Sequence, residues 1–370
     1  IVILNDNAMS ISKNVGGLQK YMAKMYASKS YNTLKKQIWD MSSSLPDSIR
    51  RRFIYGAQKL EESMMNILVP NIIFEDLGFK YVGPIDGHDI PHLISILKRV
   101  KNYMVGPVLI HVVTKKGKGY SPAEKDASGF HGVGPFDNRS GKTACSGKLS
   151  YSEVFGNTLC DLAEKQKNIV AVTAAMSAGT GLSNFEQQFS NRFFDVGIAE
   201  QHAVTLAAGM ATKGIKPFVA IYSTFMQRAL DQVIHDVAMP KLPVVFCIDR
   251  AGIVGEDGAT HQGVFDISFL SLVPNMTILA PSCAEELQAM LAWAAKHEDG
   301  PVAIRYPRGT ALCRQITLHV FEPGKAEIVS GHSPSDNRVV AFLAAGDALH
   351  TAMETAKLLA ANGLEPLVVN

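Results

Sequence analysis

Short apolar runs alternate with helix-length amphipathic segments along most of this 370-residue sequence. Alternation of this kind favours an α/β fold, in which mostly parallel strands are covered by helices on both faces. The expected class is therefore α/β with doubly wound, mostly parallel sheets. The strands predicted between residues 146 and 312 are Ile169–Thr173, Phe218–Tyr222, Val244–Ile248, Thr277–Leu279 and Val302–Arg305. The helices predicted there are Thr224–Val237 and Cys283–Lys296, the second with a capping box of Ser282 and Glu285.

The same pattern extends towards both ends of the sequence. Residues 1–4 and 107–113 predict buried strands, residues 11–75 predict helices with polar interruptions, and residues 339–369 predict a strand–helix–strand unit. Polar stretches between these parts indicate domain boundaries. The predicted division is a domain over residues 1–140, a second domain over 146–312, a linker over 313–337 and the start of a third domain over 338–370.

The composition limits the classes to which the protein can belong. A formal charge of +2, with both signs interspersed, predicts neither a nucleic-acid-binding surface nor an acidic tail. The five cysteines are widely spaced and form no CxxC pair, which indicates reduced thiols rather than disulfides or a zinc site. No apolar stretch approaches the ~18 residues of a membrane span. These features are typical of a protein that works in the cytosol.

Glu200 is the first candidate for chemistry. It stands where a short strand approach at residues 191–194 turns into a helix of small apolar residues, so its side chain can point over a sheet edge. Its neighbours Ile198, Ala199 and Ala203 predict poor solvation, which favours the protonated form and suits proton exchange with a ring nitrogen. The alternative is that Glu200 only stabilises the first turn of that helix.

Other candidates follow strand ends or lie in glycine-rich loops. Arg250 and Arg308 each follow a predicted strand, where a guanidinium can bind phosphate, although surface arginines have the same local sequence. Asp257 and His261 lie in a loop too rich in glycine to be core, where a histidine can exchange protons near pH 7. Residues 114–120, with two glycines and three lysines, are a weaker candidate for contact with a diphosphate.

Four longer motifs carry a resemblance to a known family. They are DVGIAEQHAV at 195–204, YSTFMQRALDQVIH at 222–235, IDRAGIVGEDGATHQG at 248–263 and YVGPIDGHD at 81–89. The first two resemble the pyrimidine-binding domain of thiamine-diphosphate enzymes. Together, the motifs resemble the 1-deoxy-D-xylulose-5-phosphate synthase family of the transketolase-like superfamily, and the resemblance covers the whole sequence. It implies that the sequence begins after the Gly-Asp-Gly half of the family's metal motif and ends early in the C-terminal domain.

The resemblance implies thiamine diphosphate and Mg²⁺ as cofactors. It implies that Asn7 and the carbonyl of Met9 coordinate the metal, and that Tyr120 and Phe225 contact the cofactor. Glu200 would hydrogen-bond the pyrimidine ring. The remaining residues that it implies are His131 and His261 at the reacting centre, and Tyr222, Arg228, Arg250, Asp257 and Arg308 on the acceptor side. Simpler interpretations remain: a turn residue for Asn7, a core aromatic for Phe225 and loop residues for the histidines.

The reaction implied is decarboxylation of pyruvate and condensation with D-glyceraldehyde 3-phosphate, giving 1-deoxy-D-xylulose 5-phosphate and CO₂. It is the first step of the non-mevalonate isoprenoid pathway and also feeds thiamine and pyridoxal biosynthesis. The family further implies a cytoplasmic bacterial homodimer. The alternatives are a transketolase, which shares fold and cofactor, a dehydrogenase β-subunit, which leaves residues 1–140 unexplained, and a non-catalytic, cofactor-binding remnant.

Overall fold

The computed structural model describes five stretches of the chain: residues 1–9, 71–142, 149–313, 321–331 and 339–370. Most of the helical region predicted over residues 11–75 lies outside the described residues, as does much of the predicted linker. The chain divides into two compact units. The first comprises Ile1–Gly134 with Asn138–Gly141, and the second comprises Pro135–Asp137 with Lys142–Asn370.

The first unit contains a parallel three-stranded sheet. Its strands are β1 (Val2–Asp6), β2 (Lys80–Asp86) and β3 (Val108–Val113), in the order β1-β3-β2. Its helices are α1 (Asn71–Asp76), α2 (Ile90–Tyr103) and α3 (Ser121–Lys125). The central strand β3 is an apolar run that is buried along almost its whole length, as expected for a parallel strand covered on both faces.

A polar side chain lies within the described part of this unit's apolar core. His111 in β3 is fully buried, and its ring bonds the Tyr81 hydroxyl at 2.7 Å and Asp6 Oδ2 at 3.2 Å. Both ring nitrogens are therefore satisfied, as a buried imidazole requires. The bond to Asp6 ties the carboxyl end of β1 to the middle strand.

The second unit is built on a parallel six-stranded sheet with the order β5-β4-β6-β7-β9-β8. In chain order its strands are β4 (Ile169–Thr173), β5 (Phe193–Asp195), β6 (Lys216–Tyr222), β7 (Val245–Asp249), β8 (Thr277–Leu279) and β9 (Val302–Arg305). All five strands predicted from apolar runs are present. Helices pack against both faces, so the predicted fold class, α/β with doubly wound parallel sheets, is confirmed.

Two helix layers cover this sheet. One contains α4 (Tyr151–Lys165) and α10 (Ala284–Ala294), and the other contains α6 (Glu200–Ala211). The short helices between them are α5 (Ser183–Gln188), α7 (Ser223–Met226), α8 (Leu230–Gln232) and α9 (Asp266–Leu270). The buried face of α6 carries alanines and a valine, which let its backbone approach the sheet closely and set the position of its first residue, Glu200.

Two sequence predictions in this unit are wrong in detail. The single helix predicted for Thr224–Val237 is broken into α7, a 3₁₀ turn, α8 and a π-helical segment at Val233–Ala238. The spacing of apolar residues indicates a helical stretch, but it does not distinguish 3₁₀-, α- and π-helices, in which each N–H bonds the carbonyl three, four or five residues earlier. The partner of Ser282 at the start of α10 is Glu286 instead of Glu285, and Glu286 Oε2 accepts bonds from the Ser282 amide at 2.7 Å and its hydroxyl at 2.6 Å.

The C-terminal residues of the second unit form a separate small sheet. Its strands are β10 (Ile328–Ser330), β11 (Val339–Leu343) and β12 (Glu365–Val369), and α11 (Ala348–Ala360) connects the last two. β11 and β12 are parallel. β10, which lies in the region predicted as a polar linker, pairs antiparallel with β12. The division into three domains stays a prediction. None of the helices in the described part of the chain is long and apolar enough to span a membrane.

The guanidinium of Arg192 supports the junction between α4 and β4. Its Nη1 donates to the carbonyls of Ala163, Gln166 and Ile169 at 3.1, 3.2 and 3.3 Å. We expect Arg192→Lys to lower the free energy of unfolding by roughly 1.5–3 kcal/mol, because an ammonium group cannot both bond these carbonyls and stack on the Phe189 ring, whose centroid lies 4.3 Å from the guanidinium carbon. Urea denaturation measures the change. Lys167→Gln, which removes an exposed cation from the same turn, is the control and should change stability by less than about 0.5 kcal/mol. Equal effects of the two variants would contradict the assignment.

Candidate active site

Glu200 lies at the amino end of α6, beyond the carboxyl end of β5. The turn that delivers it is held by Asp195, whose Oδ1 accepts the backbone N–H groups of Ala175 at 2.8 Å and Gly197 at 2.9 Å. Gly197 has φ +73°, a conformation that favours glycine. Glu200 itself is only 2% exposed. A buried carboxyl group is thereby fixed at the edge of the sheet.

The partner of this carboxyl is Arg228, whose Nη1 lies 2.7 Å from Glu200 Oε1. The apolar neighbours of Glu200 along the chain do not indicate this contact, because Arg228 lies 28 residues away. Glu200 is also the acidic residue of the first turn of α6, as the alternative role in stabilising that helix requires, although the N-cap residue is Ala199.

An aromatic group stands beside this ion pair. The rings of Tyr222 and Phe225 stack with centroids 5.9 Å apart, and His261 meets the edge of Phe225 at 5.2 Å. The Arg228 guanidinium carbon is 5.0 Å from the Phe225 centroid. Phe225 is partly buried against the core, so its interpretation as a core aromatic and its predicted role in contacting a ring are both compatible with the structure. Burial raises the pKa of Tyr222 to about 12, which keeps its hydroxyl protonated at neutral pH.

The second charged group is centred on Arg250, at the carboxyl end of β7. Its Nη1 pairs with Asp249 Oδ1 at 3.0 Å and donates to the Gly179 carbonyl at 2.6 Å. The guanidinium carbon lies 4.1 Å from the centroid of the Tyr222 ring. Gly179 has no space for a side chain, because a Cβ there would lie 1.8 Å from the Tyr222 hydroxyl.

Asp257 connects the two candidate phosphate-binding arginines. Its Oδ1 is 3.3 Å from Arg308 Nη1, and its Oδ2 is 3.6 Å from Arg250 Nε. The loop that carries Asp257 and His261 is closed by reciprocal backbone bonds between Gly252 and Gly263 at 2.7 and 2.8 Å. Sequence reasoning therefore selected residues that the second unit brings together: Tyr222, Phe225, Arg228, Arg250, Asp257, His261 and Arg308.

The first unit holds the remaining candidates. Asn7 Oδ1 accepts the backbone N–H of Met9 at 3.0 Å, and Asp6 Oδ1 accepts that of Ala8 at 2.9 Å. This turn after β1 presents an amide oxygen and main-chain carbonyls, which are the hard oxygen donors that Mg²⁺ prefers. Within the described ranges no group of three or more histidine, cysteine, aspartate or glutamate side chains could hold a metal. The donor chemistry of Asn7 and Met9 thus fits a magnesium site to which this turn contributes part of the ligands.

Tyr120 and His131 lie further along the first unit. The Tyr120 hydroxyl donates to the Asn138 carbonyl at 3.0 Å, and its ring meets the edge of Phe130 at 5.6 Å. Lys116 Nζ is 3.2 Å from His131 Nδ1. Partial burial and, secondly, the charge of Lys116 lower the pKa of His131. This arrangement favours a neutral imidazole whose Nδ1 accepts a hydrogen bond from the Lys116 ammonium group.

Three residues of the site were not found by sequence reasoning. They are Asp249, Ser152 and Gly179, all of which contact Arg250. The aspartate directly before Arg250 at the end of a strand was a usable signal. Ser152 and Gly179 are 98 and 71 residues away from Arg250, and no local pattern indicates their contact with it.

The His131 titration is a direct check on this geometry. We expect a midpoint below 6.5, because protonation places a second charge beside Lys116 in a partly desolvated position. Lys116→Met should raise the midpoint without restoring it fully, since desolvation is the larger cause. NMR of ¹³C-labelled histidine against pH measures both. A wild-type midpoint above 6.5, or a downward shift in the variant, would contradict the pairing.

Two family descriptions match separate parts of the chain. Residues 1–114 match "1-deoxy-D-xylulose-5-phosphate synthase", and residues 147–312 match "Transketolase, pyrimidine binding domain". The second match contains Glu200, its partner Arg228 and the arginines of the charged group. Among solved structures, a chain described as "Split gene transketolase, inactive beta4 tetramer" is 32% identical with a TM-score of 0.53, covering 60% of this chain and 71% of that one. A transketolase from Campylobacter jejuni is 20% identical with a TM-score of 0.52, covering 81% and 57%, and supports the fold alone.

Curated relatives match the chain over its whole length. A 1-deoxy-D-xylulose-5-phosphate synthase from Desulforudis audaxviator is 49% identical and one from Caldanaerobacter subterraneus subsp. tengcongensis is 51% identical. A third, from Clostridium perfringens, is 50% identical. All of this chain is aligned in each case, and it spans 57%, 58% and 59% of these three relatives. The chain therefore belongs to the 1-deoxy-D-xylulose-5-phosphate synthase family of transketolase-like proteins.

Proposed function

We propose that the protein decarboxylates pyruvate and joins the remaining two-carbon unit to D-glyceraldehyde 3-phosphate, giving 1-deoxy-D-xylulose 5-phosphate and CO₂. The observation that carries this proposal is the buried carboxyl of Glu200 at the first turn of α6, paired with Arg228 beside the Phe225 ring. It stands in a chain that aligns over its full length with synthases of this name. Thiamine diphosphate and Mg²⁺ are the proposed cofactors.

Bound thiamine diphosphate would supply the carbon nucleophile that attacks pyruvate, and it would accept the electron pair that stays behind when CO₂ leaves. Glu200 would accept and return a proton at a nitrogen of the pyrimidine ring. Arg228 would hold the carboxyl group in place through its bond to Glu200 Oε1. The face of Phe225 would pack on the ring and exclude water from that bond. In the first unit, Asn7 and the Met9 carbonyl would hold Mg²⁺, and Tyr120 would contact the cofactor.

The acceptor is an aldehyde that carries a phosphate. Arg250 and Arg308 would bind the phosphate, because guanidinium groups form paired, charge-assisted bonds to such oxygens. Asp257 and the protonated Tyr222 hydroxyl offer hydrogen bonds to the acceptor's hydroxyl or carbonyl. His261, held against Phe225, and His131 in the first unit are proposed to move protons to and from the reacting oxygen.

The same proposal includes a cellular location, a pathway step and an oligomeric state. We propose a bacterial cytoplasmic homodimer that acts at the first step of the non-mevalonate isoprenoid pathway and supplies thiamine and pyridoxal biosynthesis. Apolar side chains exposed on the second unit support association, among them Ile198, Ile253 and Phe265, at 60%, 84% and 59% exposure. Sedimentation of the full-length protein tests the assembly.

The activity is tested by ¹³C NMR on the full-length protein with [2-¹³C]pyruvate, D-glyceraldehyde 3-phosphate, thiamine diphosphate and Mg²⁺. We expect label in 1-deoxy-D-xylulose 5-phosphate and one CO₂ released for each product formed. A transketolase would instead transfer a two-carbon unit from a ketose phosphate and leave pyruvate unchanged. A non-catalytic, cofactor-binding protein would convert neither donor.

The role of Glu200 predicts a specific kinetic defect. Glu200→Gln keeps the size and the hydrogen bond to Arg228 but cannot exchange a proton with the pyrimidine. We expect hydrogen–deuterium exchange at C2 of the bound cofactor to slow by about 10²–10⁴-fold, the usual value of acid–base assistance. Glu286→Gln, which alters a carboxylate near the start of α10, is the matched control and should affect stability without slowing exchange. Fast exchange in Glu200→Gln would make Glu200 a structural residue.

Arg308 is expected to act on the acceptor alone. Arg308→Ala should raise the KM for D-glyceraldehyde 3-phosphate, because the phosphate loses one charged partner. The fall in kcat/KM should correspond to a loss of about 2–4 kcal/mol in transition-state stabilisation. The KM for pyruvate should stay unchanged. Steady-state kinetics with each substrate varied in turn measure both constants, and equal losses for the two substrates would refute the assignment.

A further inference from the structure

Asp249 is a buried carboxylate to which no step of the proposed reaction has been assigned. It is the last residue of β7 and has no exposed surface. Its Oδ2 accepts the Ser152 hydroxyl at 2.7 Å, and its Oδ1 accepts the backbone N–H of Arg250 at 2.7 Å. Burial raises the pKa of Asp249, and the charge of Arg250 acts against that rise. Burial of a carboxylate costs free energy unless it is paired and hydrogen-bonded. The contacts of Asp249 are therefore required to compensate for its burial.

These contacts fix Arg250 in an unusual conformation. Its φ is +56°, in the left-handed region that residues other than glycine rarely adopt. The bond from its N–H to Asp249 holds this backbone turn. At the other end of the side chain, Nη1 is shared among Asp249, the Ser152 hydroxyl at 3.3 Å and the Gly179 carbonyl at 2.6 Å. Backbone and guanidinium are thus both anchored to the same carboxylate.

The Nε side of the guanidinium faces Asp257 without a hydrogen bond. Arg250 Nε is buried and has no hydrogen-bond partner within the described ranges, and neither has Asp257 Oδ2. These two atoms are 3.6 Å apart, which is too long for a hydrogen bond. Unpaired buried groups of this kind are rare and usually have a functional explanation. Arg308 lies on the same side, since it pairs with the other oxygen of Asp257.

We propose that Asp249, supported by Ser152, is a positioning residue that sets the preference of the acceptor site for a phosphorylated aldehyde. By holding Nη1 and the backbone of Arg250, it presents the remaining donors of the guanidinium to the acceptor's phosphate. This inference rests on the proposed function and adds to it the residue that orients the phosphate-binding group. Asp249 acts through Arg250 and has no contact with the reacting atoms.

Two physical roles for Asp249 predict effects of opposite sign. Removal of a carboxylate raises the local positive charge, so a purely electrostatic role predicts tighter binding of a dianion in Asp249→Ala. A positioning role predicts weaker binding, because the released Arg250 no longer meets the phosphate in a fixed orientation. Asp249→Asn separates the two further, since an asparagine oxygen can still accept both bonds from Arg250 and its amide can donate to Ser152.

A second buried pair of the same unit supplies the control. Asp266 Oδ2 lies 2.8 Å from Arg305 Nε, with side-chain exposures of 2% and 16%, close to the 0% and 12% of Asp249 and Arg250. Neither Asp266 nor Arg305 belongs to the proposed site. Asp266→Asn therefore reproduces the loss of a buried charge at a pair that has no proposed role in acceptor binding.

The test compares acceptors with and without the phosphate in the full-length protein. We expect Asp249→Ala to lower the ratio of kcat/KM for D-glyceraldehyde 3-phosphate over D-glyceraldehyde by about 10²-fold, the effect of a misplaced binding group. Asp249→Asn should recover most of the ratio. Ser152→Ala, a milder change that keeps the fold, should lower it by about fivefold, the effect of one hydrogen bond. Asp266→Asn should leave it within about twofold. Equal losses for both acceptors, or an increased ratio in Asp249→Ala, would overturn the inference.

Calorimetric binding of glycerol 3-phosphate supplies a readout that needs no turnover. We expect weaker binding in Ser152→Ala and in Asp249→Ala, and near-normal binding in Asp249→Asn and Asp266→Asn. If Asp249→Ala does not fold, Ser152→Ala decides the outcome. If the wild-type protein fails to convert pyruvate, the proposed function is wrong, whereas the calorimetric series still decides the role of Asp249. Unchanged binding in Ser152→Ala together with tighter binding in Asp249→Ala would refute positioning.

Discussion

The parallel register of β6, β7 and β9 is the constraint on which the site in the second unit depends. Tyr222 pairs with Asp249, and Ile248 pairs with Arg305, so these strands end at the same edge of the sheet. Residues that follow each strand must therefore lie near each other, although 27 to 86 positions separate Tyr222 from Asp249 and Arg308 in the sequence. Tyr222, Arg250 and Arg308 come together for this reason. The apolar strands below them provide a rigid base that loops alone would not provide.

Pairing of opposite charges is the second organising feature. Glu200 is held by Arg228, Asp249 by Arg250, and Asp257 stands between Arg250 and Arg308. Charges this poorly solvated must be compensated, and each pair also fixes the direction of a group with proposed chemistry. In the proposed function the two charged groups have different roles. The pair at Glu200 would serve proton exchange with a ring, whereas the arginines around Asp257 would bind the phosphate of an acceptor.

The sequence predicted much of the fold but fewer of its contacts. Buried parallel strands are apolar throughout, so the strands from Ile169 to Arg305 were visible as short apolar runs. The position of Glu200 before a helix of small residues was visible for a similar reason. Arg228 as its partner was not, because the contact spans 28 residues and depends on how the broken helical segment after Tyr222 is wound. The roles of Asn7, Tyr120 and Phe225 rest on the family resemblance, since their local sequences are equally compatible with turn or core positions.

The central claim is that Glu200 contacts the pyrimidine of thiamine diphosphate, and an experimental structure tests it most directly. The measurement is a crystal structure of the full-length protein with thiamine diphosphate and Mg²⁺ bound. The account predicts a Glu200 carboxyl oxygen within about 2.7–3.2 Å of a pyrimidine nitrogen, with the Phe225 ring against the pyrimidine. A bound cofactor whose pyrimidine lies away from Glu200, with that carboxyl still bonded to Arg228 alone, would contradict it.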